Sequence, residues 1–285
     1  MDEPPALDPA LAPLAAPGAS RRLSRLLLHR RDSIGTAYHV LTFETSTPIA
    51  ARAGQFAMVR SAAWGQAPLL PRPMSLLTAG DRPSILIKVV GEGTRRLAHA
   101  SSGEPFDLLA PLGVPWRPCP AGHRPLLVAG GVGVAPLLFL ARELASSAPR
   151  PLALYGARTA VDLPLDFELA SLAELRVATE DGSRGTPGRV TVLLERTLAE
   201  LAAAGQAVQV YTCGPEAMMA AVASLCAARG VRCEVSLETP MACGYGVCLG
   251  CPVPRTAGGF LYACTEGPCV DAATIDWSRS AGGAR

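Results

Sequence analysis

The sequence predicts an α+β multidomain chain: an antiparallel β-barrel, then a parallel α/β domain, then a small cysteine-bearing C-terminal segment. Three observations predict it. Short apolar runs punctuated by Gly, Pro, Ser and Asp fill residues 21–118, as in a small barrel. Strand and helix signals alternate through residues 119–235, the mark of a parallel sheet. Five of the nine cysteines then fall within residues 243–269. With 285 residues, 49% of them apolar, the chain can bury the cores of about two such domains.

Composition narrows the partners. The net charge is +2 with 18% charged residues, so the chain offers no strong field, and neither nucleic acid nor a membrane is expected as a partner. Basic residues comprise 25 Arg and a single Lys, Lys88. So lopsided a ratio, in a chain rich in Ala, Gly and Pro, reads as a sequence-wide bias, and an Arg is not taken as a phosphate ligand on identity alone. The longest uncharged run, residues 125–141, is interrupted by Gly130, Gly131, Gly133 and Pro136. A membrane span needs about 20 apolar residues. The N-terminus opens on Asp2 and Glu3 and carries five prolines by position 17, unlike a secretion signal. Residues 1–20 are expected to be a disordered tail, and the cytoplasm is the expected compartment.

Within the barrel region, residues 26–28, 38–43, 55–59 and 85–90 read as strands, with turns at Gly54, Gly80-Asp81 and Ser102-Gly103. In the α/β region, strands are expected at residues 126–129, 152–155, 207–212 and 232–237. Helices are expected from the glycine loop to about Ala145, over 193–203 and over 216–229. Residues 236–285 show little apolar periodicity and would make a poor core without a metal.

The cysteines carry the sharpest signal. Cys243-x4-Cys248-x2-Cys251-x12-Cys264 is the plant-type [2Fe–2S] spacing. Gly244, Gly246 and Gly250 allow tight wrapping and point N–H groups at sulfur. A structural zinc site, which more often shows two short C-x2–4-C knuckles, and plain buried thiols are the alternatives. Cys269 is left over as a small filler.

Two weaker elements point to a flavin. Arg72-Pro73-Met74-Ser75 follows a proline-rich loop and could be a surface turn. Gly91-Glu92-Gly93-Thr94 ends a strand and opens a short helix over 95–100, which would place Gly93 and Thr94 at free N–H groups suited to a phosphate. Two more elements point to a nucleotide, or simply to tight strand–helix turns. Gly130-Gly131-Val132-Gly133-Val134-Ala135-Pro136 joins a strand to a helix, with Pro136 in the first helical turn. Cys213-Gly214-Pro215 does the same, and two such turns at one sheet edge build a ligand crevice.

R-P-x-S, G-x-G-T, G-G-x-G-x-A-P and C-G-P in this order resemble the ferredoxin–NADP reductase superfamily. Met241-Ala242-Cys243-Gly244-Tyr245-Gly246-Val247-Cys248-Leu249-Gly250-Cys251 and Cys264-Thr265-Glu266-Gly267-Pro268-Cys269-Val270 resemble, more narrowly, the electron-transfer subunits of two-subunit, NAD-dependent dihydroorotate dehydrogenases. The run Thr179-Glu180-Asp181-Gly182-Ser183 fits the same family. The resemblance spans about residues 22–277.

The resemblance implies a division of the chain: an FAD-binding barrel at 21–118, an NAD-binding α/β domain at 119–235 and a [2Fe–2S] domain at 236–285. Arg72, Pro73, Met74 and Ser75 match the FAD tetrapeptide. Leu86, Ile87 and Lys88 match the strand that brackets the flavin, and Gly93 and Thr94 match the phosphate turn. Cys243, Cys248, Cys251 and Cys264 match the cluster ligands. NAD(H) would be held by Gly130, Gly131, Gly133, Pro136, Cys213, Gly214 and Pro215. Met74 departs from the Tyr of broader relatives.

The family also implies electron transfer between NAD(H) and a separate FMN-bearing subunit that converts dihydroorotate to orotate in pyrimidine biosynthesis. Two copies of each chain would form a heterotetramer. No catalytic residue for dihydroorotate is expected in this chain: His29, His39, His99 and His123 sit in no catalytic motif. Two other readings are compatible with the sequence. One is the small FAD/[2Fe–2S] subunit of another complex, a ferredoxin–NADP transhydrogenase or a sulfur-metabolism reductase. The other is a non-catalytic zinc-binding interaction module.

Overall fold

A computed structural model describes residues 21–146 and 149–280. The expected tail at 1–20 lies outside the described residues. The first unit comprises β1 (Arg22–Ile34), β2 (Tyr38–Glu44), β3 (Phe56–Ser61), β4 (Arg72–Thr78), β5 (Ser84–Lys88), helix α1 (Glu92–Ala98) and β6 (Pro105–Leu112). The strands close into an antiparallel barrel in the order β1-β2-β5-β4-β3-β6. Closure leaves no free sheet edge. Leu26, Leu28, Leu41, Phe43, Leu76, Ile85 and Phe106 fill the interior, with Phe43 and Phe106 edge to face at 5.4 Å.

β4 and β6 were not expected as strands, because prolines at Pro73, Pro105 and Pro111 argue against ladder pairing. The barrel tolerates them where β4 begins and near the two ends of β6. β1 is far longer than its apolar centre: beyond the buried Leu26 and Leu28 its residues are exposed or half-buried, most of them polar or charged, as at Arg22, Ser24 and Arg25. α1 begins at Glu92, three residues before its expected start. Thr94 explains this: its Oγ1 accepts the N–H groups of Val90 and Gly91 at 2.9 and 3.1 Å and so caps the first turn.

The second unit runs β7 (Arg124–Gly130), α2 (Val134–Glu143), β8 (Leu152–Ala157), α3 (Asp166–Leu172), β9 (Glu174–Thr179), β10 (Thr186–Pro187), α4 (Val190–Ala203), β11 (Val208–Cys213), α5 (Glu216–Ala227) and β12 (Arg232–Ser236). The C-terminal segment adds a hairpin of β13 (Pro252–Pro254) and β14 (Phe260–Tyr262), then β15 (Cys269–Asp271) and the short α6 (Trp277–Ser280). The large sheet has the order β10-β9-β8-β7-β11-β12-β15. Its strands are parallel except β15, which joins β12 antiparallel through Val235 and Val270. Strand order reverses at β7, so the crevice between the ends of β7 and β11 is a topological switch point.

α2 is buried on all sides from Val134 to Ala141, because it lies between the sheet and the barrel. Polar contacts fix that junction. Arg142 Nη1 donates to the Leu77 carbonyl at 2.8 Å, and the Ala53 N–H donates to Glu143 Oε1 at 2.8 Å. α4, by contrast, buries only the stripe Val190, Leu193, Leu194, Thr197, Leu198 and Leu201, the spacing of a one-sided helix. Among the described residues, no helix is long and apolar enough to cross a membrane.

Candidate functional site

Between the barrel and the residues after β12 lies a cleft of about 440 Å³. Pro73, Met74 and Ser75 from β4 line it, as do Leu86, Ile87 and Lys88 from β5, and Thr94. Arg72 and Gly93 meet at its margin, where the Arg72 side chain fills the space a Cβ on Gly93 would need. Two expected motifs therefore converge. The opposite wall is Leu237, Glu238, Thr239, Met241 and Pro268, none of which the sequence marked for this role. They follow Arg72 by some 165 residues or more, and only the packing of the barrel against the end of β12 and the segment after it brings them in. The Thr239 hydroxyl is buried without a hydrogen-bond partner. A largely apolar cleft with an unpaired polar atom in its wall fits a flavin ring, whose edge supplies donors and acceptors.

A second cleft, about 470 Å³, opens at the switch point. Gly130, Gly131 and Pro215 line it. Gly133, Pro136, Cys213 and Gly214 do not; they support it from behind. A Cβ on Gly133 would overlap the Cys213 carbonyl, so Gly133 lets the two strand–helix turns abut. Pro136 is buried in α2, and its carbonyl accepts Trp116 Nε1 at 3.4 Å. The cleft also takes Tyr38 and Lys88 from the barrel, Arg158 and Asp162 after β8, Glu180 after β9, and Arg189. Of these, sequence motifs pointed only to Lys88 and to the run containing Glu180.

Lys88 lines both clefts. Asp162 Oδ1 accepts the Tyr38 hydroxyl at 2.8 Å and Lys88 Nζ at 3.1 Å. The Tyr38 hydroxyl, and after it Lys88, hold the Asp162 carboxyl below the usual carboxylate range. The Tyr38 hydroxyl and Asp162 raise the Lys88 ammonium against the opposing effect of burial. Burial raises the Tyr38 phenol. At neutral pH the group is therefore an ion pair with a neutral phenol beside it.

The cysteine loop sits on the barrel beside the first cleft. Met241 is in the cleft wall, two residues before Cys243. Gly244 has φ +79°, and a side chain there would strike Met58 of β3; one on Gly246, at φ +92°, would strike Thr265. The Cys243 thiol has Cys248 as an electrostatic neighbour, and the Cys264 thiol has Cys251. Burial raises the Cys243 thiol, but the Tyr245 N–H at 3.5 Å, with those of Cys248 and Val247, outweighs it and holds the thiol at about 6. Burial and the neighbouring Cys251 push Cys264 up to about 12. Among the described residues, no three His, Cys, Asp or Glu side chains converge on one metal position. Four cysteines in this one segment match the number of protein ligands that a two-iron cluster takes. Cys269 lies elsewhere, its Sγ 3.6 Å from the Gly54 carbonyl in the barrel.

Cys248 is exposed, whereas Cys251 and Cys264 are buried. Around Cys248 stand three exposed apolar side chains, Tyr245, Val247 and Leu249. Leu249 has φ +54°. A left-handed backbone at Leu costs about 1–2 kcal/mol, and here it turns an apolar side chain to solvent.

A closed barrel, a switch-point cleft adjoining it and a cysteine loop define a ferredoxin-reductase-like oxidoreductase with FAD, NAD(H) and an iron–sulfur cluster as its cofactors. Comparisons with known proteins agree. Residues 127–224 match the oxidoreductase NAD-binding domain, and residues 238–276 match the iron–sulfur cluster binding domain of dihydroorotate dehydrogenase B. The chain is 37% identical over 229 residues to the dihydroorotate dehydrogenase B (NAD(+)) electron transfer subunit of Bacillus caldolyticus, covering 78% of this chain and 86% of that one. The Clostridium acetobutylicum electron transfer subunit is 36% identical over 218 residues, covering 76% and 83%. Among solved structures, an NADH-dependent reduced ferredoxin–NADP oxidoreductase superposes with TM-score 0.77 at 26% identity, covering 90% of this chain and 91% of that one. The chain belongs to the family of dihydroorotate dehydrogenase B electron transfer subunits. The zinc-module reading falls with the iron–sulfur match.

Proposed function

We propose that this chain carries electrons between NAD(H), bound in the switch-point cleft, and a catalytic dihydroorotate dehydrogenase subunit that bears FMN, in a heterotetramer of two copies of each. One observation carries the reading: the three sites adjoin in series. Lys88 is common to the nucleotide and flavin clefts, and Met241 links the flavin cleft to Cys243. FAD, when bound, accepts electrons in pairs and releases them singly.

The residue roles follow. Arg72, Gly93 and Thr94 hold the FAD pyrophosphate. Met74, Ser75, Leu86, Ile87 and Thr239 flank the ring. Gly130, Gly131 and Pro215 receive the dinucleotide, with Gly133, Pro136, Cys213 and Gly214 shaping that turn. Cys243, Cys248, Cys251 and Cys264 hold the cluster. The functional division is 21–118 for FAD, 119–235 for NAD and 236–285 for the cluster, with β15 lending the last part an anchor on the sheet. The apolar face at Val247 and Leu249 meets the catalytic subunit, and the cytoplasm is the compartment.

A steady-state assay of each protein alone and of the mixture tests this. The chain alone oxidises NADH with artificial acceptors and leaves dihydroorotate untouched; the mixture couples dihydroorotate oxidation to NAD reduction. Orotate production by this chain alone would overturn the division of labour.

A further inference from the structure

Lys88, the sole lysine, stands where the two clefts meet. It ends β5, and its register partner on the neighbouring strand is Tyr38, the first residue of β2. Its ammonium lies 5.0 Å from the Tyr38 ring centroid. Facing both, from the α/β domain, is Asp162 at the end of the short 3-10 turn Ala160–Asp162. Asp162 Oδ1 takes both barrel donors, and Oδ2 takes Thr159 Oγ1 at 3.3 Å.

A carboxylate is an odd neighbour for an anionic dinucleotide. Asp162 lines the same cleft as Gly130 and Gly131, and its side chain is only 25% exposed, so water screens its charge incompletely. Its charge is tolerable before a nucleotide binds because Lys88 neutralises it. An arriving pyrophosphate changes the balance, since two anions then compete for one ammonium. Asp162 loses less than a bare carboxylate would when Lys88 leaves, because Tyr38 and Thr159 still donate to it.

We propose that the Asp162–Lys88 pair is a displaceable lock on the nucleotide cleft. Asp162 holds Lys88 at the cleft junction, the dinucleotide's phosphates take Lys88 over on binding, and Asp162 recaptures it on release. Asp162 is thereby a positioning residue that lowers nucleotide affinity and speeds product departure. The inference rests on the switch-point cleft being the nucleotide site.

ADP-ribose is the probe, because it carries the pyrophosphate and cannot reduce the flavin. It is titrated calorimetrically into the oxidised holoprotein and four variants. Asp162→Asn keeps an acceptor for Tyr38 and Lys88 but removes the charge. It should bind ADP-ribose about three- to fivefold more tightly, the scale of a partly screened charge pair, with the gain shrinking as salt rises. Lys88→Gln should bind it more weakly, and in that background Asp162→Asn should gain less. A purely structural role for Asp162 predicts the opposite sign, weaker or unchanged binding in Asp162→Asn, and that result overturns the proposal. Arg158→Glu tests the cleft itself, since Arg158 lines it. Weaker binding in that variant supports the cleft as the site. Unchanged binding would show that the nucleotide lies elsewhere and would take the proposal down with that reading, a failure distinct from a wrong sign at Asp162.

Discussion

Arg72 and Gly93 interlock: the Arg72 side chain occupies the volume that a Cβ at position 93 would fill. The absence of a side chain at 93 is what lets the guanidinium lie across the start of α1, beside Thr94. Gly93→Ala should therefore act on the flavin through Arg72. Loss of a charge-assisted contact is worth about 1.5–3 kcal/mol, or roughly 10–100-fold in FAD affinity. Arg72→Ala should reach the same range, and the double variant should lose little more than either single one. Flavin content after dialysis, with iron content as an internal control, measures it. Full FAD retention in Arg72→Ala would reduce that residue to a turn element.

The cluster assignment separates four cysteines from a fifth. Ser at 243, 248, 251 or 264 should remove the iron and loosen the segment after β12, because metal binding supplies folding energy there. Cys269→Ser should keep about two irons per chain, as the plant-type spacing implies, since its Sγ faces Gly54 in the barrel. Iron analysis and the visible spectrum of anaerobically purified protein decide. Loss of the cluster in Cys269→Ser with retention in Cys264→Ser would reverse the assignment.

Gly133 has an ordinary helical φ of −61°, so Ala there meets no backbone strain, and any harm it does is steric. The added methyl would press on the Cys213 carbonyl and force the β7 and β11 turns apart. Overpacking of this kind typically costs about 1–3 kcal/mol. Gly133→Ala should lower the thermal midpoint and weaken NADH binding, while the cluster spectrum stays intact. An unchanged melting curve would show that the turns have slack.

Leu249 carries strain and exposure together. Leu249→Gly relieves a left-handed strain of about 1–2 kcal/mol and adds an unfolded-state entropy cost of about 0.5–1 kcal/mol. The isolated chain should therefore be as stable as the parent or slightly more so. Association with the catalytic subunit should weaken, and Val247→Asp should weaken it further. Sedimentation of the mixed subunits reads this directly. Undiminished assembly in both variants would place the interface on another face.

The sequence by itself determined the local features. The cysteine spacing, the glycines of the strand–helix turns and the alternation of strand and helix are short-range signals, set by backbone sterics and side-chain period within a few residues. They carried the architecture, the four cysteines proposed as ligands and one wall of each cleft. Tertiary structure alone decided the rest. Glu238, Thr239 and Met241 become a cleft wall because they leave the end of β12 toward the barrel, and Pro268 joins them through β15, which pairs antiparallel with β12. Asp162 meets Lys88 only because α2 packs between barrel and sheet, a contact between surfaces with no common sequence period. Pro73, Pro105 and Pro111 hid two strands for the same reason: propensity speaks for the isolated segment, and barrel closure overrode it.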